Sequence, residues 1–224
     1  MKQISDHLWL LTYPLSVLGT QHGRNVTLIR LASGHLILHS MAPFSAKEVA
    51  DISSLGKPGW LMEAMLLHDT YAADGKKAFP EVPFLGPPGF SDVVDFPTLP
   101  LLPAPPEWAG EVEVLPIAGV PMLKEYAILH LPSRTLIVAD LVFNFRPDER
   151  GWNRFFHRYI AGFRRYPGMS RIFKLCIKDK AAFQASMTEI FAKDFDRVIV
   201  GHGEVIETNG KALLRRGLHD AGVI

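Results

Sequence analysis

Cysteine is nearly missing from this chain. The one thiol, Cys176, cannot close an internal disulfide, and cysteine-rich zinc frameworks are excluded. It lies in a helical-looking run with apolar neighbours, so it reads as a small buried hydrophobe rather than a nucleophile. Long uncharged stretches are lacking too: none reaches the roughly 20 residues that span a bilayer. The N-terminal MKQISDHLWLL has no extended apolar run followed by a small-residue cleavage site, so no secretory signal is expected and the expected compartment is cytoplasmic. Charge of one sign is not in excess. The 24 Lys and Arg nearly cancel the 23 Asp and Glu, which leaves no global field to recruit specific nucleic acid or anionic lipid. A Gly-x-Ser-x-Gly elbow, a glycine-rich loop ending in Gly-Lys-Ser/Thr and a Gly-x-Gly-x-x-Gly fingerprint are all absent, so the commonest hydrolase and nucleotide-binding signatures do not apply.

What is present suits a folded domain. With 48% hydrophobic and 21% charged residues over 224 positions, the chain can bury one large core, and a single domain over 1–224 is expected rather than disorder. His7–Tyr13 and Asn25–Leu31 are rich in strand formers, and the Ser33-Gly34 turn leads to a third strand at His35–His39, which predicts a meander. Ser45-Ala-Lys-Glu48 has the spacing of a capping box and predicts a helix to Leu55, stopped by Gly56 and Pro58-Gly59. Leu61–His68 reads as a buried strand, Gly75–Phe79 as a short helix and Val82–Leu85 as another strand. Eight prolines between 83 and 106 exclude a regular element there and predict an extended excursion with edge pairing at most. Strands are expected at Glu111–Leu115, Tyr126–Leu131, Thr135–Asp140 and Arg197–Val200. Helices are expected at Gly151–Tyr166, within Ser170–Ala192 and at Lys211–Leu218. Two strand-rich halves, each with helices, imply a layered α/β (α+β) sandwich.

Three polar residues directly follow predicted buried strands: His68, Asp140 and His202. Strand ends are where open α/β sheets gather their sites, and two imidazoles with one carboxylate suit a first-row divalent metal. His39 and His130 read differently, as a structural residue and an exposed one.

Thr135-Leu-Ile-Val-Ala-Asp140-Leu and Val198-Ile-Val-Gly-His202-Gly resemble the later metal-binding motifs of the metallo-β-lactamase-like hydrolases, and Met65-Leu-Leu-His68-Asp-Thr-Tyr-Ala-Ala-Asp74-Gly75 stands where that family has its His-x-His-x-Asp-His signature. The resemblance runs along nearly the whole chain and is closer to an uncharacterised branch than to the lactamases. It implies a four-layer αββα sandwich of two mixed sheets flanked by helices. Within the signature His68 matches, whereas Thr70, Ala72 and Ala73 occupy ligand positions, and Val120 falls where a further histidine is expected. A two-metal hydrolase positions a bridging water between its ions. The resemblance therefore implies a degenerate centre of His68, Asp140 and His202. It would hold one divalent ion (zinc, manganese or iron) or none, with Asp69 or Asp74 as general base for water attacking an ester-type small molecule.

The alternative is a non-catalytic binding or scaffold protein on the same fold. Arg146, Arg150, Arg154 and Arg158 recur every four residues beside Trp152, Phe155, Phe156, Tyr159 and Phe163. If helical, Arg154 and Arg158 share a face that peripheral anionic surfaces could contact. The ordinary reading of such a segment is a solvated charged face over an aromatic stripe in the core.

Overall fold

The computed structural model describes residues 1–146 and 150–224. Among them two principal sheets form. The first contains β1 (Lys2–Ser5), β2 (Leu8–Tyr13), β5 (Arg24–Arg30), β6 (His35–His39), β7 (Lys57–Met62), β8 (Phe84–Gly86) and β9 (Leu99–Pro100) in that spatial order. Its meander β2–β5–β6 is antiparallel, and β6 through β9 run parallel. A small ribbon, β3 (Ser16–Val17) with β4 (Thr20–Gln21), projects between β2 and β5. The second sheet is β10 (Val112–Pro116), β11 (Tyr126–His130), β12 (Thr135–Val138) and β13 (Arg197–Val200), antiparallel except for the β12–β13 pair.

Period-two alternation decides what each face touches. Ile37 and Met62 point inward with Leu8, Leu10 and Ile29, where they meet Val114, Ile128, Ile137 and Ile199 of the second sheet. Their neighbours Leu36, Leu38 and Leu61 point the other way, onto Ile52 of α1 (Ala46–Leu55) and Ala72 of α2 (Ala72–Ala78). On the far side, Leu129, Leu136, Val138 and Val198 pack against Phe183 and Met187 of α5 (Lys180–Ala192) and Leu214 and Leu218 of α6 (Gly210–Asp220). Helix, sheet, sheet and helix are thus the four layers. A one-residue slip would exchange the two faces, and each misplaced aliphatic would forfeit about 1.5–3 kcal/mol, so the register is firmly set.

Local signals largely do what they predict. Ser45 Oγ accepts from Glu48 N at 3.3 Å, and Glu48 Oε2 accepts from Ser45 N at 2.8 Å, closing the capping box of α1. The prolines leave only β8, β9 and single 3₁₀ turns between 83 and 108; β9 is the sheet edge, and β8 lies between it and β7. Cys176 is buried at the end of α4 (Arg171–Cys176).

Three expectations are corrected. β7 stops at Met62 instead of running to His68, because its pairing with β8 ends at Leu85 and the chain then turns with Glu63 drawn inside. The helix expected over Gly151–Tyr166 is α-helical only over Gly151–Phe155 (α3) and widens to a π turn at Phe156–Ile160. Gly162, at φ +83°, then takes a conformation that closes off continuation. His130, expected to be exposed, is completely buried, because it ends a strand flanked on both sides by β10 and β12.

Candidate metal centre

Two strand ends of the second sheet and a turn that follows the first sheet supply the centre. β12 leads to Asp140, β13 to His202, and the turn after β7 carries His68 back toward them. One ligand atom from each of the three residues lies within 4.8 Å of the others. His68 Nε2 and His202 Nε2 each stand 3.3 Å from the same Asp140 Oδ1. Both imidazoles are buried, whereas the Asp140 side chain retains 24% exposure and opens the centre to solvent.

The histidines are oriented by groups behind them. His202 Nδ1 is hydrogen-bonded to the carbonyl of Gly23, and a carbonyl can only accept, so Nδ1 carries the proton. At Nε2 such a ring presents either a lone pair or, as imidazolium, a second N–H. A lone pair 3.3 Å from a carboxylate oxygen is repulsive unless a cation or proton lies between them. Phe143 stacks on the His202 ring at 5.4 Å and 9° and limits its rotation. His68 Nδ1 is buried without a hydrogen-bond partner among the described residues, 3.8 Å from Glu63 Oε2, which likewise has none among them. A carboxylate behind a histidine is the usual support for a metal-bound imidazole. Burial lowers the His68 pKa, keeping the ring in the neutral form that metal binding requires. Burial pushes the Asp140 carboxyl up, but His68 and His202 beside it prevail and hold it well below the usual carboxylate range.

Reasoning from sequence missed the residues that hold the loops. Arg24, fully buried, donates from Nη2 to Glu63 Oε1 at 2.6 Å and to the His68 carbonyl at 3.0 Å, so one guanidinium fixes both the carboxylate and the ligand's main chain. Glu63 also accepts from Met41 N at 2.7 Å. Glu125 takes the N–H groups of Ala139, Asp140 and Leu141 at 2.9, 3.1 and 3.1 Å. Asn25 donates to the carbonyls of Val200 and Gly203 and so clamps the loop that carries His202. His22, one of nine histidines and unremarkable in sequence, meets His202 and His157 edge to face at 6.0 and 5.0 Å. Burial first, then these two rings, lower its pKa to about 4. A cleft of about 610 Å³ lined by His22, Gly23, Phe145, Gly203 and Glu204 opens beside it. Glu63 did have a sequence signal, an acid inside the apolar run Leu61–Leu67; Glu125 and Arg24 had none.

Other sequence candidates lie as follows. Asp69 is exposed in the 3₁₀ turn after His68 and Asp74 is exposed in α2; neither contributes an atom to the convergent set. Thr70 and Ala73 are exposed, and Ala72 and Val120 are buried in the apolar layers. His39 is buried with neither ring nitrogen hydrogen-bonded among the described residues, and its burial lowers its pKa to about 3. Arg150 caps α3 in an extended conformation and Arg146 precedes it, so they do not continue the helical row of Arg154 and Arg158. Nor is the aromatic stripe in the core: Trp152, Phe155 and Tyr159 are exposed, and only Phe156 and Phe163 of that set are buried. The short α3 and its π turn leave too little regular surface to turn all five rings inward.

The whole chain is similar to solved metallo-β-lactamases. The enzyme from Erythrobacter litoralis superposes with a TM-score of 0.67 at 14% identity, covering 100% of this chain and 96% of that one. FIM-1 from Pseudomonas aeruginosa, solved in a mono-zinc form, gives 0.65 at 10% identity over 100% and 96%. The protein from Pontibacter korlensis gives 0.60 at 11% identity over 96% and 97%. No family model and no curated protein matches the sequence. The chain has the metallo-β-lactamase-like fold, with a His/Asp/His cluster of metal-binding character at its strand ends.

Proposed function

We propose that this protein is a metal-dependent hydrolase-like protein whose centre holds a single divalent ion (zinc, manganese or iron) through His68, Asp140 and His202. The observation that carries the reading is the convergence of two imidazole Nε2 atoms on one carboxylate oxygen, with His202 Nδ1–H already committed to Gly23. Three protein ligands with an open direction toward solvent match a catalytic arrangement. When bound, a divalent ion there supplies Lewis-acid activation of water for attack on an ester-type small molecule. The chain's own groups do the rest. The Gly23 carbonyl aims the His202 ring, Glu63 stands behind His68, and Glu125 and Arg24 fix the ligand loops. Thr70, Ala72, Ala73 and Val120 stand where the resemblance puts further ligands and offer no strong donor, which favours one ion over two. The mono-zinc form of FIM-1 is a precedent on this fold.

Elemental analysis and calorimetric titration with zinc, manganese and iron test the reading. One equivalent of at least one metal is expected, lost in a His68→Ala/His202→Ala variant. Failure of all three metals ends the proposal, and two tight equivalents would refute the reduced ligand set.

The same geometry favours one rival. Both histidines can close on Asp140 Oδ1 as hydrogen-bond donors, leaving a non-catalytic centre on the same fold. In that case chelator leaves the melting temperature unchanged.

A further inference from the structure

We propose that the face built from residues 150–178 and the tip of the β3–β4 hairpin docks onto an anionic lipid surface. Charge is the first observation. Between Arg150 and Lys178 the sequence has eight Lys and Arg and no Asp or Glu, whereas the rest of the chain has 16 against 23. The near-zero total conceals a strongly cationic segment on an otherwise acidic molecule.

Exposed apolar surface is the second, independent observation. Leu18, at the hairpin tip, is 76% exposed, Tyr159 64%, and Trp152 and Phe155 49% each. Trp152 and Phe155 stack at 5.6 Å, Phe155 meets Tyr159 at 5.3 Å, and Trp152 Nε1 donates to the Leu18 carbonyl at 3.0 Å. These contacts make hairpin and helix one continuous surface. Large amphipathic rings beside Arg and Lys suit the headgroup boundary of a bilayer, where the rings leave water while the cations stay among phosphates.

The third observation is a cleft of about 790 Å³ on this face, lined by Arg154, Arg158, Arg164, Arg165 and Arg216, with Tyr159 on its wall. The guanidinium groups of Arg154, Arg164 and Arg165 have no hydrogen bond or ion pair among the described residues, which leaves their forked donors available to phosphate oxygens.

A second copy of the chain is a poorer occupant, because a two-fold contact would set these arginines against each other. A soluble phosphate fills the cleft but leaves the exposed rings unexplained. No helix among the described residues is long and apolar enough to cross a membrane, so the contact is peripheral. Docking would also bring the interface to the centre, since Gln21 N bonds Asn153 Oδ1 at 3.2 Å and the next residue, His22, packs on His202. That last consequence, delivery of an amphipathic ester, rests on the hydrolase reading; the docking does not.

The test is co-sedimentation of the full chain, in chelator, with vesicles of phosphatidylcholine alone or mixed with phosphatidylglycerol. Binding is expected only with phosphatidylglycerol and is released by salt. Arg154→Glu/Arg165→Glu should weaken it about tenfold or more. Leu18→Ser/Tyr159→Ser should weaken it too, with an unchanged melting temperature because both side chains are exposed. Absent binding, equal binding to both vesicles, or indifference to both variants overturns the proposal. So does release by glycerol phosphate at constant ionic strength with the Leu18/Tyr159 variant binding normally, which would mark a site for soluble phosphate. A dimer that the Leu18/Tyr159 variant dissolves would assign the face to a second copy.

Discussion

Of the three loops that deliver ligands to the centre, two are each fixed by a buried glutamate, but the glutamates are balanced in opposite ways. Glu63, behind the His68 turn, faces the Arg24 guanidinium. Glu125, behind the Asp140 turn, has no cation partner among the described residues and takes three main-chain N–H groups instead. Burial lifts both carboxyl groups. Arg24 pulls Glu63 back so that it rests at about 7, while the neighbouring Asp140 pushes Glu125 further, to about 8. The first loop is held by an ion pair that needs both partners, the second by backbone dipoles, of which a single neutral carbonyl oxygen can still accept the two from Ala139 and Leu141.

That contrast can be broken by mutation. Arg24→Met should have the largest effect, about 3–5 kcal/mol in urea unfolding, because it strands a buried carboxylate. Arg24→Met/Glu63→Gln should recover more than half of the loss; a double variant no better than the single would mean that the pair is not coupled. Glu125→Ala, which orphans three N–H groups, should cost about 2–3 kcal/mol and weaken zinc binding at least about tenfold by loosening Asp140. Glu125→Gln should be clearly milder, and equal damage from both would contradict the dipole account.

A smaller effect separates the loops from the sheet that supports them. His130, bonded through Nδ1 to Ser133 Oγ at 2.7 Å, has its pKa lowered by burial to about 4. The unfolded chain takes up this proton as pH falls below about 6.5 while the fold resists it, so stability is full above that pH and declines from there toward pH 4. Its share of the slope is at most about one proton, and melting curves of His130→Gln across this range should be flatter than wild type by that amount. Smallest is Ser45→Ala, which removes the cap of α1 on the outer layer. It should cost about 1 kcal/mol with metal affinity unchanged, and a change in affinity would show that the helix layer and the ligand loops are linked.

How far the molecule was legible follows the range of the forces involved. The Ser33-Gly34 turn before the strand at His35–His39 and the Ser45–Glu48 spacing are local, and both elements appear in the structure as read. The three strand-end residues were legible because buried strands announce where they stop, although His68 reaches the centre from a turn rather than a strand end. The helix over Gly151–Tyr166 was misread because its aromatic and basic residues fit an amphipathic pattern, and pattern alone does not say which side is covered.

The sequence by itself determined where the strands of the first meander lie, where α1 begins and which side chains have the chemistry to bind a cation, since these depend on neighbours a few positions away. Only the tertiary structure decided that His68 and Asp140, 72 residues apart, would share an oxygen's surroundings with His202, and that Arg24 and Glu125 would hold them there. Burial creates that requirement: a charge withdrawn from water must find a partner in space, and the chain's order does not say where that partner lies.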